Sequence, residues 1–111
     1  MLKIFAADMY AGKTVLVTGS TSGIGEGTAK AFAAHGAQVM VSGRNQERAE
    51  AVVADITAAG GTADMIVGDV ADADFCEKLV NETVVRLGRL DILINNAGIA
   101  IHGKIASHSN A

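Results

Sequence analysis

A short apolar segment followed at once by three glycines constrains this chain more than any other feature of its sequence. The apolar segment is Thr14-Val15-Leu16-Val17-Thr18, and the glycines lie in the loop Gly19-Ser20-Thr21-Ser22-Gly23-Ile24-Gly25 that follows it. The apolar run is typical of a strand buried on both faces of a parallel sheet. After such a strand, one glycine lets the chain turn sharply, one lets backbone approach a diphosphate, and one lets the next helix pack closely.

The start of the helix after this loop is a predicted anion site. Its free N–H groups would face phosphate charge, and the helix dipole would strengthen the attraction. The spacing is Gly-x-x-x-Gly-x-Gly, which differs from the commoner Gly-x-Gly-x-x-Gly. The alternative interpretation is a plain turn rich in Gly and Ser. Three glycines in seven positions, between a predicted strand and a predicted helix, favour the phosphate site.

Strands and helices alternate over the rest of the chain. The predicted strands cover residues 14–18, 39–41, 65–67 and 90–94, and the predicted helices cover residues 24–35, residues 45–59 and a segment that begins at Asp72 or Asp74. Asn45 is a good N-cap for the second helix. Four strands that alternate with three helices predict right-handed βαβ units and a doubly wound parallel sheet in one domain, residues 1–111.

Each predicted helix has a side on which its less polar residues gather. These residues are Ile24, Thr28, Ala31 and Phe32 in the first helix; Ala49, Val52, Val53, Ile56 and Ala59 in the second; and Phe75, Cys76, Leu79, Val80 and Leu87 in the third. Such spacing is typical of amphipathic helices that cover a sheet.

Charge and composition exclude several classes of function. The net charge is -3, and no dense basic cluster is present, which argues against sequence-independent nucleic-acid binding. The single cysteine, Cys76, excludes an internal disulfide and a multi-cysteine metal site. No segment is apolar enough over a sufficient length to cross a membrane, and no secretory leader is evident, so we expect a cytoplasmic protein.

Two further loops fall at the predicted carboxyl ends of strands. Gly68-Asp69-Val70 follows the third strand, and Asn95-Asn96-Ala97-Gly98 follows the fourth. Ligands of open α/β sheets collect at this edge, next to the reversal in strand order. Asp69 could instead only cap a turn, and Asn95 and Asn96 could be turn formers at a strand end.

These motifs together resemble the short-chain dehydrogenase/reductase family. Its Thr-Gly-x-x-x-Gly-x-Gly motif matches residues 18–25, its Asn-Asn-Ala-Gly motif matches residues 95–98, and its acidic residue after the third strand matches Asp69; the resemblance covers residues 13–98. The resemblance implies an incomplete Rossmann-type sheet that binds a dinucleotide. The implied cofactor-binding residues are Gly19, Ser20, Ser22, Gly23, Ile24 and Gly25 around the pyrophosphate, Asp69 and Val70 at the adenine, Asn95, Ala97 and Gly98 near the ribose, and Arg44.

The end of the second strand indicates which dinucleotide is preferred. It reads Val41-Ser42-Gly43-Arg44-Asn45, with no acid before Glu47 to bind the ribose 2′-hydroxyl of NAD. Arg44 is a planar cation suited to a 2′-phosphate, and in this family an arginine there accompanies NADP. The family's other basic position is Ser22 here, so half of that pattern is present. Arg44 could also be a solvated residue at the helix start. We expect NADP, with NAD the less favoured cofactor.

The residues that would perform catalysis are missing from these 111 residues. The family uses a Ser, a Tyr and a Lys, the last two spaced Tyr-x-x-x-Lys, beyond the Asn-Asn-Ala-Gly motif. The single tyrosine, Tyr10, precedes the glycine loop, and Lys13 follows it by three positions rather than four. We therefore assign no catalytic residue, and we assign no metal site to His102 and His108 in the tail.

The sequence thus predicts the cofactor-binding half of an oxidoreductase that acts on a carbonyl or alcohol substrate, truncated after the Asn-Asn-Ala-Gly motif. Three explanations are open for the missing catalytic half: the chain is a fragment of a longer reductase, a truncated product without turnover, or one part of a two-chain enzyme. A nucleotide-binding module without catalysis is the alternative function. The expected partners are the dinucleotide, the substrate, and either a second copy of the chain or the missing half; the substrate class stays open.

Overall fold

The computed structural model describes residues 9–96. Within them the strands and helices alternate in the order β1 (Thr14–Thr18), α1 (Gly23–Ala34), β2 (Gln38–Gly43), α2 (Gln46–Ala58), β3 (Thr62–Val67), α3 (Ala73–Leu87) and β4 (Ile92–Asn95). The predicted α/β class, with four strands and three helices over this range, is confirmed.

The four strands form one parallel sheet in the order β3-β2-β1-β4. Val17 of β1 pairs with Val41 of β2 on one side and with Ile94 of β4 on the other. The chain therefore builds outward from β1 to β3 and then crosses back to place β4 on the opposite side of β1. This reversal puts the carboxyl ends of β1 and β4 side by side, where open α/β sheets bind ligands.

Helices cover both faces of the sheet because its strands are apolar on both faces. One apolar cluster joins β1 and β2 to α1 and α2, and it contains Val15, Val17, Val39, Val41, Ala29, Ala33, Ala37, Ala49, Val52 and Ile56. The other joins the opposite face to α3, and it contains Leu16, Met40, Ile66, Leu79 and Val80. Successive strand residues alternate between the two clusters, as the two-residue period of a strand requires.

Helix α1 buries a different side from the one that gathers its larger residues. Its buried residues are Gly25, Ala29 and Ala33, whereas Ile24 is 81% exposed. Only small residues fit between α1 and the sheet because the helix begins so close to β1. The grouping of Ile24, Thr28, Ala31 and Phe32 therefore does not mark the fully buried side. Phe32 is the half-buried exception, since it packs against the first apolar cluster and edge-to-face on Tyr10, with ring centroids 5.0 Å apart.

The helix ends follow the capping chemistry of the sequence. Asn45 caps α2, since its side chain accepts a hydrogen bond from the Arg48 N–H, as predicted. Of the two candidate caps for α3, the structure selects Asp72, whose carboxylate accepts from the N–H groups of Asp74 and Phe75. Among the described residues, no helix is long and apolar enough to span a bilayer.

Strand β4 begins two residues later than the sequence predicts. The carboxylate of Asp91 accepts a hydrogen bond from the Thr14 N–H (2.8 Å) and forms an ion pair with Arg89 (2.8 Å). The Asp91 N–H also donates to the Thr14 carbonyl. Asp91 therefore anchors the entry to β4, and regular pairing with β1 starts at Ile92.

Candidate functional site

A cleft of about 480 Å³ opens at the carboxyl ends of the strands. Each of the four strand ends contributes to its wall. The lining residues are Gly19, Thr21 and Ser22 after β1, Ser42, Gly43 and Arg44 at the end of β2, Gly68, Asp69, Val70 and Ala71 after β3, and Asn96 after β4. The topology thus brings together loops that lie far apart in sequence.

The three glycines of the first loop have distinct structural roles. Gly19 (φ 63°) and Gly23 (φ 58°) adopt the left-handed conformation that side chains disfavour. Gly25 lies in the first turn of α1, and a Cβ there would overlap the carbonyl oxygen of Gly19 and lie 2.6 Å from Nδ2 of Asn96. The first two glycines make the turn, and the third lets the helix start against the strand end.

Ser20 ties the glycine loop to β2 from inside the protein. It is fully buried. Its hydroxyl donates to the Val17 carbonyl (2.6 Å) and accepts from the Ser42 N–H (2.9 Å), and its own N–H donates to the Ser42 carbonyl (3.0 Å). Its hydroxyl therefore fixes the shape of the loop, and Ser20 is not among the described residues that line the cleft.

The end of β4 is fastened to the same loop. The Thr18 hydroxyl donates to Oδ1 of Asn95 (3.1 Å) and accepts from the Asn96 N–H (3.1 Å). The side-chain amide of Asn96 donates to the Gly19 carbonyl (3.3 Å). The two asparagines thus do more than end a strand, because they hold the β4 end against the turn of the glycine loop.

The wall after β3 is held rigid by the first turn of α3. Oδ1 of Asp69 accepts from the Ala71 N–H (2.9 Å), and the thiol of Cys76 donates to the Val70 carbonyl (2.9 Å). Burial raises the pKa of Cys76, and the nearby carboxylates of Asp72 and Asp69 raise it further, so the thiol stays protonated as a donor. Asp69 does cap a turn, while its side chain also faces the cleft.

Two polar groups at the end of β2 differ in their access to a ligand. Arg44 is exposed at the rim, and its guanidinium forms no salt bridge with any residue of the described range. The hydroxyl oxygen of Ser42 is buried, and within residues 9–96 it has no hydrogen-bond partner. A buried hydroxyl without a partner costs about 1–3 kcal/mol, and because it is buried, a ligand in the cleft does not reach it directly.

Sequence-predicted site residues divide into three groups. The first group lines the cleft and consists of Gly19, Ser22, Arg44, Asp69 and Val70. The second lies around the cleft without lining it in the described part of the chain, and it consists of Ser20, Gly23, Ile24, Gly25 and Asn95. The third, Ala97 and Gly98, lies outside the described residues. None of these cofactor contacts is tested by the fold, so each stays a prediction.

Sequence reasoning did not select several lining residues, which are Thr21, Ser42, Gly43, Gly68, Ala71 and Asn96. They flank the selected positions at the same strand ends. Strand register could have indicated them, since Ser42 pairs with Thr18 and with Ile66.

A parallel α/β sheet with helices on both faces and a glycine-lined cleft at its switch point defines a Rossmann-type domain. Consistent with this, the sequence model for short chain dehydrogenases matches residues 13–111. The chain belongs to the short-chain dehydrogenase/reductase family.

Relatives with known sequences or structures agree with this assignment. An uncharacterized oxidoreductase of Thermotoga maritima is 46% identical over 101 residues, which is 90% of this chain and 39% of that protein. A dehydrogenase/reductase structure from Sinorhizobium meliloti superposes with a TM-score of 0.81 at 47% identity, over 87% of this chain and 39% of the other.

A metagenomic short-chain oxidoreductase solved in complex with NADP gives a TM-score of 0.76 at 35% identity, over 80% of this chain and 40% of the other. The chain thus spans about two fifths of the length of these relatives.

Proposed function

We propose that this chain is the cofactor-binding part of an NADP-dependent oxidoreductase that interconverts a carbonyl and an alcohol. The observation that carries the proposal is the position of Arg44, which lies at the rim of the cleft and has no salt-bridge partner in the described range. No carboxylate occupies the adjacent end of β2, where a ribose diol would need one. The cleft therefore favours a ribose that bears a 2′-phosphate.

The glycine loop fits a pyrophosphate. Because Gly25 has no Cβ, α1 begins directly beside the Gly19 carbonyl, and its first N–H groups would be the donors to a pyrophosphate. Ser22, the N-cap, forms no capping hydrogen bond with its side chain, so that hydroxyl is available to a phosphate oxygen. The donor set is neutral and backbone-rich, which is the chemistry of a dinucleotide phosphate site.

The wall after β3 fits the adenine. Oδ1 of Asp69 and the Val70 carbonyl are already engaged within the wall. Oδ2 of Asp69 would accept from an exocyclic amine. Val70, whose side chain packs against the apolar cluster on the α3 face, would meet the ring through its backbone.

When bound, NADPH would supply the hydride for carbonyl reduction, NADP⁺ would accept it in alcohol oxidation, and the residues of this chain would bind and orient the cofactor. Tyr10 does not take part, because it precedes β1 at the opposite edge of the sheet. Its N–H donates there to the carbonyl of His35, and its ring packs on Phe32. The proton transfer and the substrate pocket would come from residues beyond this chain, either in a longer form of the protein or in an associated chain.

A nucleotide-binding module without turnover is the second candidate function. It is favoured because no Tyr or Lys is among the described residues that line the cleft. Searching the source protein for a Ser followed by Tyr-x-x-x-Lys after residue 111, together with an intact mass, separates the two candidates.

Isothermal titration of the full chain with NADP and with NAD tests the cofactor assignment. A charge-assisted contact is worth about 1.5–3 kcal/mol, so we expect NADP to bind roughly ten- to a hundredfold more tightly. The fragments 2′,5′-ADP and 5′-ADP should show the same ratio, since neither contains the nicotinamide half. Equal affinity for NADP and NAD would contradict the 2′-phosphate assignment.

A further inference from the structure

Gly43 and Thr21 face each other across the mouth of the cleft. A Cβ built on Gly43 would lie 2.5 Å from Cγ2, 2.7 Å from Oγ1 and 3.2 Å from Cβ of Thr21. Ordinary carbon contacts are about 3.5–4.0 Å. Gly43 is not among the positive-φ glycines, so its backbone would accept any residue. The side chain of Thr21 therefore leaves no room for a side chain at position 43.

Neither partner can move away easily. Thr21 follows Ser20, whose hydroxyl and N–H are fixed to Val17 and Ser42. Rotation about χ1 of Thr21 to another staggered rotamer would still leave its methyl or its hydroxyl group in one of the two close positions, and it would leave its Cβ in place. Gly43 pairs with Val67, and its carbonyl accepts from the Gly68 N–H (3.0 Å). The sheet thus holds the backbone of Gly43, and the hydrogen bonds of Ser20 hold the residue that precedes Thr21.

Position 43 ends β2, which is where a carboxylate binds the ribose 2′-hydroxyl in NAD-dependent sheets of this kind. We propose that Thr21 and Gly43 form one coupled specificity determinant for the ribose 2′ position. Thr21 occupies the space that a carboxylate side chain would need, and Arg44 then sets the preference alone. This inference rests on the proposed function, and it predicts that no single substitution at position 43 converts the cofactor preference.

A double-mutant cycle tests the steric coupling. Gly43→Ala adds only a methyl group, and over-packing of this kind should weaken 2′,5′-ADP binding at least about fivefold. In a Thr21→Gly background, the same substitution should change affinity less than about twofold. Thr21→Ala, which retains the Cβ at 3.2 Å, should give an intermediate loss. Thr21→Val keeps the bulk without the hydroxyl and should behave as threonine does.

The carboxylate itself is introduced in a second arm. Gly43→Asp alone should lose 2′,5′-ADP affinity without gaining affinity for 5′-ADP. Thr21→Gly with Gly43→Asp should bind 5′-ADP about tenfold more tightly than Gly43→Asp does, since the carboxylate can then adopt a ribose-binding rotamer. Thermal unfolding of every variant shows whether the altered affinity comes from lost folding.

The outcomes separate the two proposals. If the unaltered chain binds neither nucleotide, the proposed function is wrong, and the specificity inference falls with it. If the unaltered chain prefers 2′,5′-ADP but the Ala and Asp substitutions act identically with and without Thr21→Gly, the coupling alone is wrong. Should Gly43→Ala fail to fold, recovery of its melting temperature by Thr21→Gly still supports the coupling, and no recovery overturns it.

Discussion

The side-chain amide of Asn96 donates a hydrogen bond to the carbonyl oxygen of Gly19, joining two residues 77 positions apart at 3.3 Å. Gly25 lies against both groups, and a Cβ there would meet each of them. The turn after β1, the start of α1 and the end of β4 therefore converge on one point. A substitution at this point should affect folding and ligand binding together.

Gly25→Ala should destabilise the protein and weaken nucleotide binding. The added methyl group overlaps backbone that cannot rotate away, and over-packing of this kind costs about 1–3 kcal/mol or more. Gly27→Ala is the matched control. It lies in the same helix with nothing within 4 Å of its Cβ position and should stabilise by about 0.5–1 kcal/mol. Chemical denaturation of both variants gives the comparison, and equal effects would contradict the close-packing role of Gly25.

Arg44→Ala should weaken NADP binding roughly ten- to a hundredfold and leave NAD binding nearly unchanged. The reason is that the lost contact is to the 2′-phosphate alone. Lys78→Ala removes a positive charge from an exposed position of α3 that does not line the cleft and should have little effect. Calorimetric titration of both variants measures this, and equal losses for the two cofactors would exclude the phosphate role.

Stability should fall in acid through Asp91. Its ion-pairing hydrogen bond with Arg89 lowers the pKa of this carboxyl, and the bond from the Thr14 N–H lowers it further. Because the pKa is lower in the folded state, the Asp91 carboxylate stabilises the fold fully above the unfolded pKa of about 4. This stabilisation is lost as the pH falls through the lower folded-state pKa. Asp91→Asn should therefore melt lower at pH 7, and its deficit should shrink as the pH falls below about 4.

Melting temperatures between pH 3 and 7 show this convergence. Glu50→Gln, at an exposed position of α2, is the control for loss of a surface carboxylate and should leave the pH profile parallel to that of the unaltered protein. A constant gap between Asp91→Asn and the unaltered protein across this range would rule out the carboxylate as its source.

Residues 1–111 alone should show no NADPH oxidation with aldehydes or ketones. General acid catalysis contributes about 10²–10⁴-fold, and the one tyrosine of the chain packs on Phe32 away from the cleft. NADP titration of the same sample shows that the site is folded. Turnover that persists through purification and disappears in Arg44→Ala would overturn this expectation.

The isolated 111-residue chain should self-associate. The edge of β4 that faces away from β1 has no strand partner in the described range, and bare strand edges template pairing with other chains. Ile92 and Ile94 are only half-buried, which adds an apolar surface. Light scattering over a concentration series measures the association.

Val85→Lys is the control for this association, since Val85 is 75% exposed on α3. If the β4 edge drives association, this variant should associate as the unaltered chain does. A monomer at every concentration, or a monomer only in the Val85→Lys variant, would show that the β4 edge is not responsible.

The local patterns of the sequence predicted the order of elements and five of the residues that line the cleft. The apolar run before the glycine loop predicted β1 with the observed bounds, and Asn45 marked the start of α2, because both signals depend on neighbouring residues alone. The buried side of α1 could not be predicted. It depends on how closely the helix approaches β1, and this distance is set by Gly25 and the Gly19 carbonyl rather than by the hydrophobicity of Ile24.

Long-range contacts account for the remaining differences. Ser20 has the sequence context of a phosphate ligand, yet its hydroxyl accepts a hydrogen bond from the Ser42 N–H of β2, because the register of β1 and β2 places Ser42 beside it. The later start of β4 likewise depends on Asp91 meeting Thr14, a contact between residues 77 positions apart. Partners at such separations leave no periodic signal in a single sequence.

The strand order also has a consequence for the order in which the strands pair during co-translational folding. β1 meets β2 across 24 positions but meets β4 only across 77, and closing the longer loop costs more chain entropy. We therefore expect β1, α1 and β2 to associate while β4 is still inside the ribosome. The glycine turn would form early, and Asn96 would close it only when the last strand emerges.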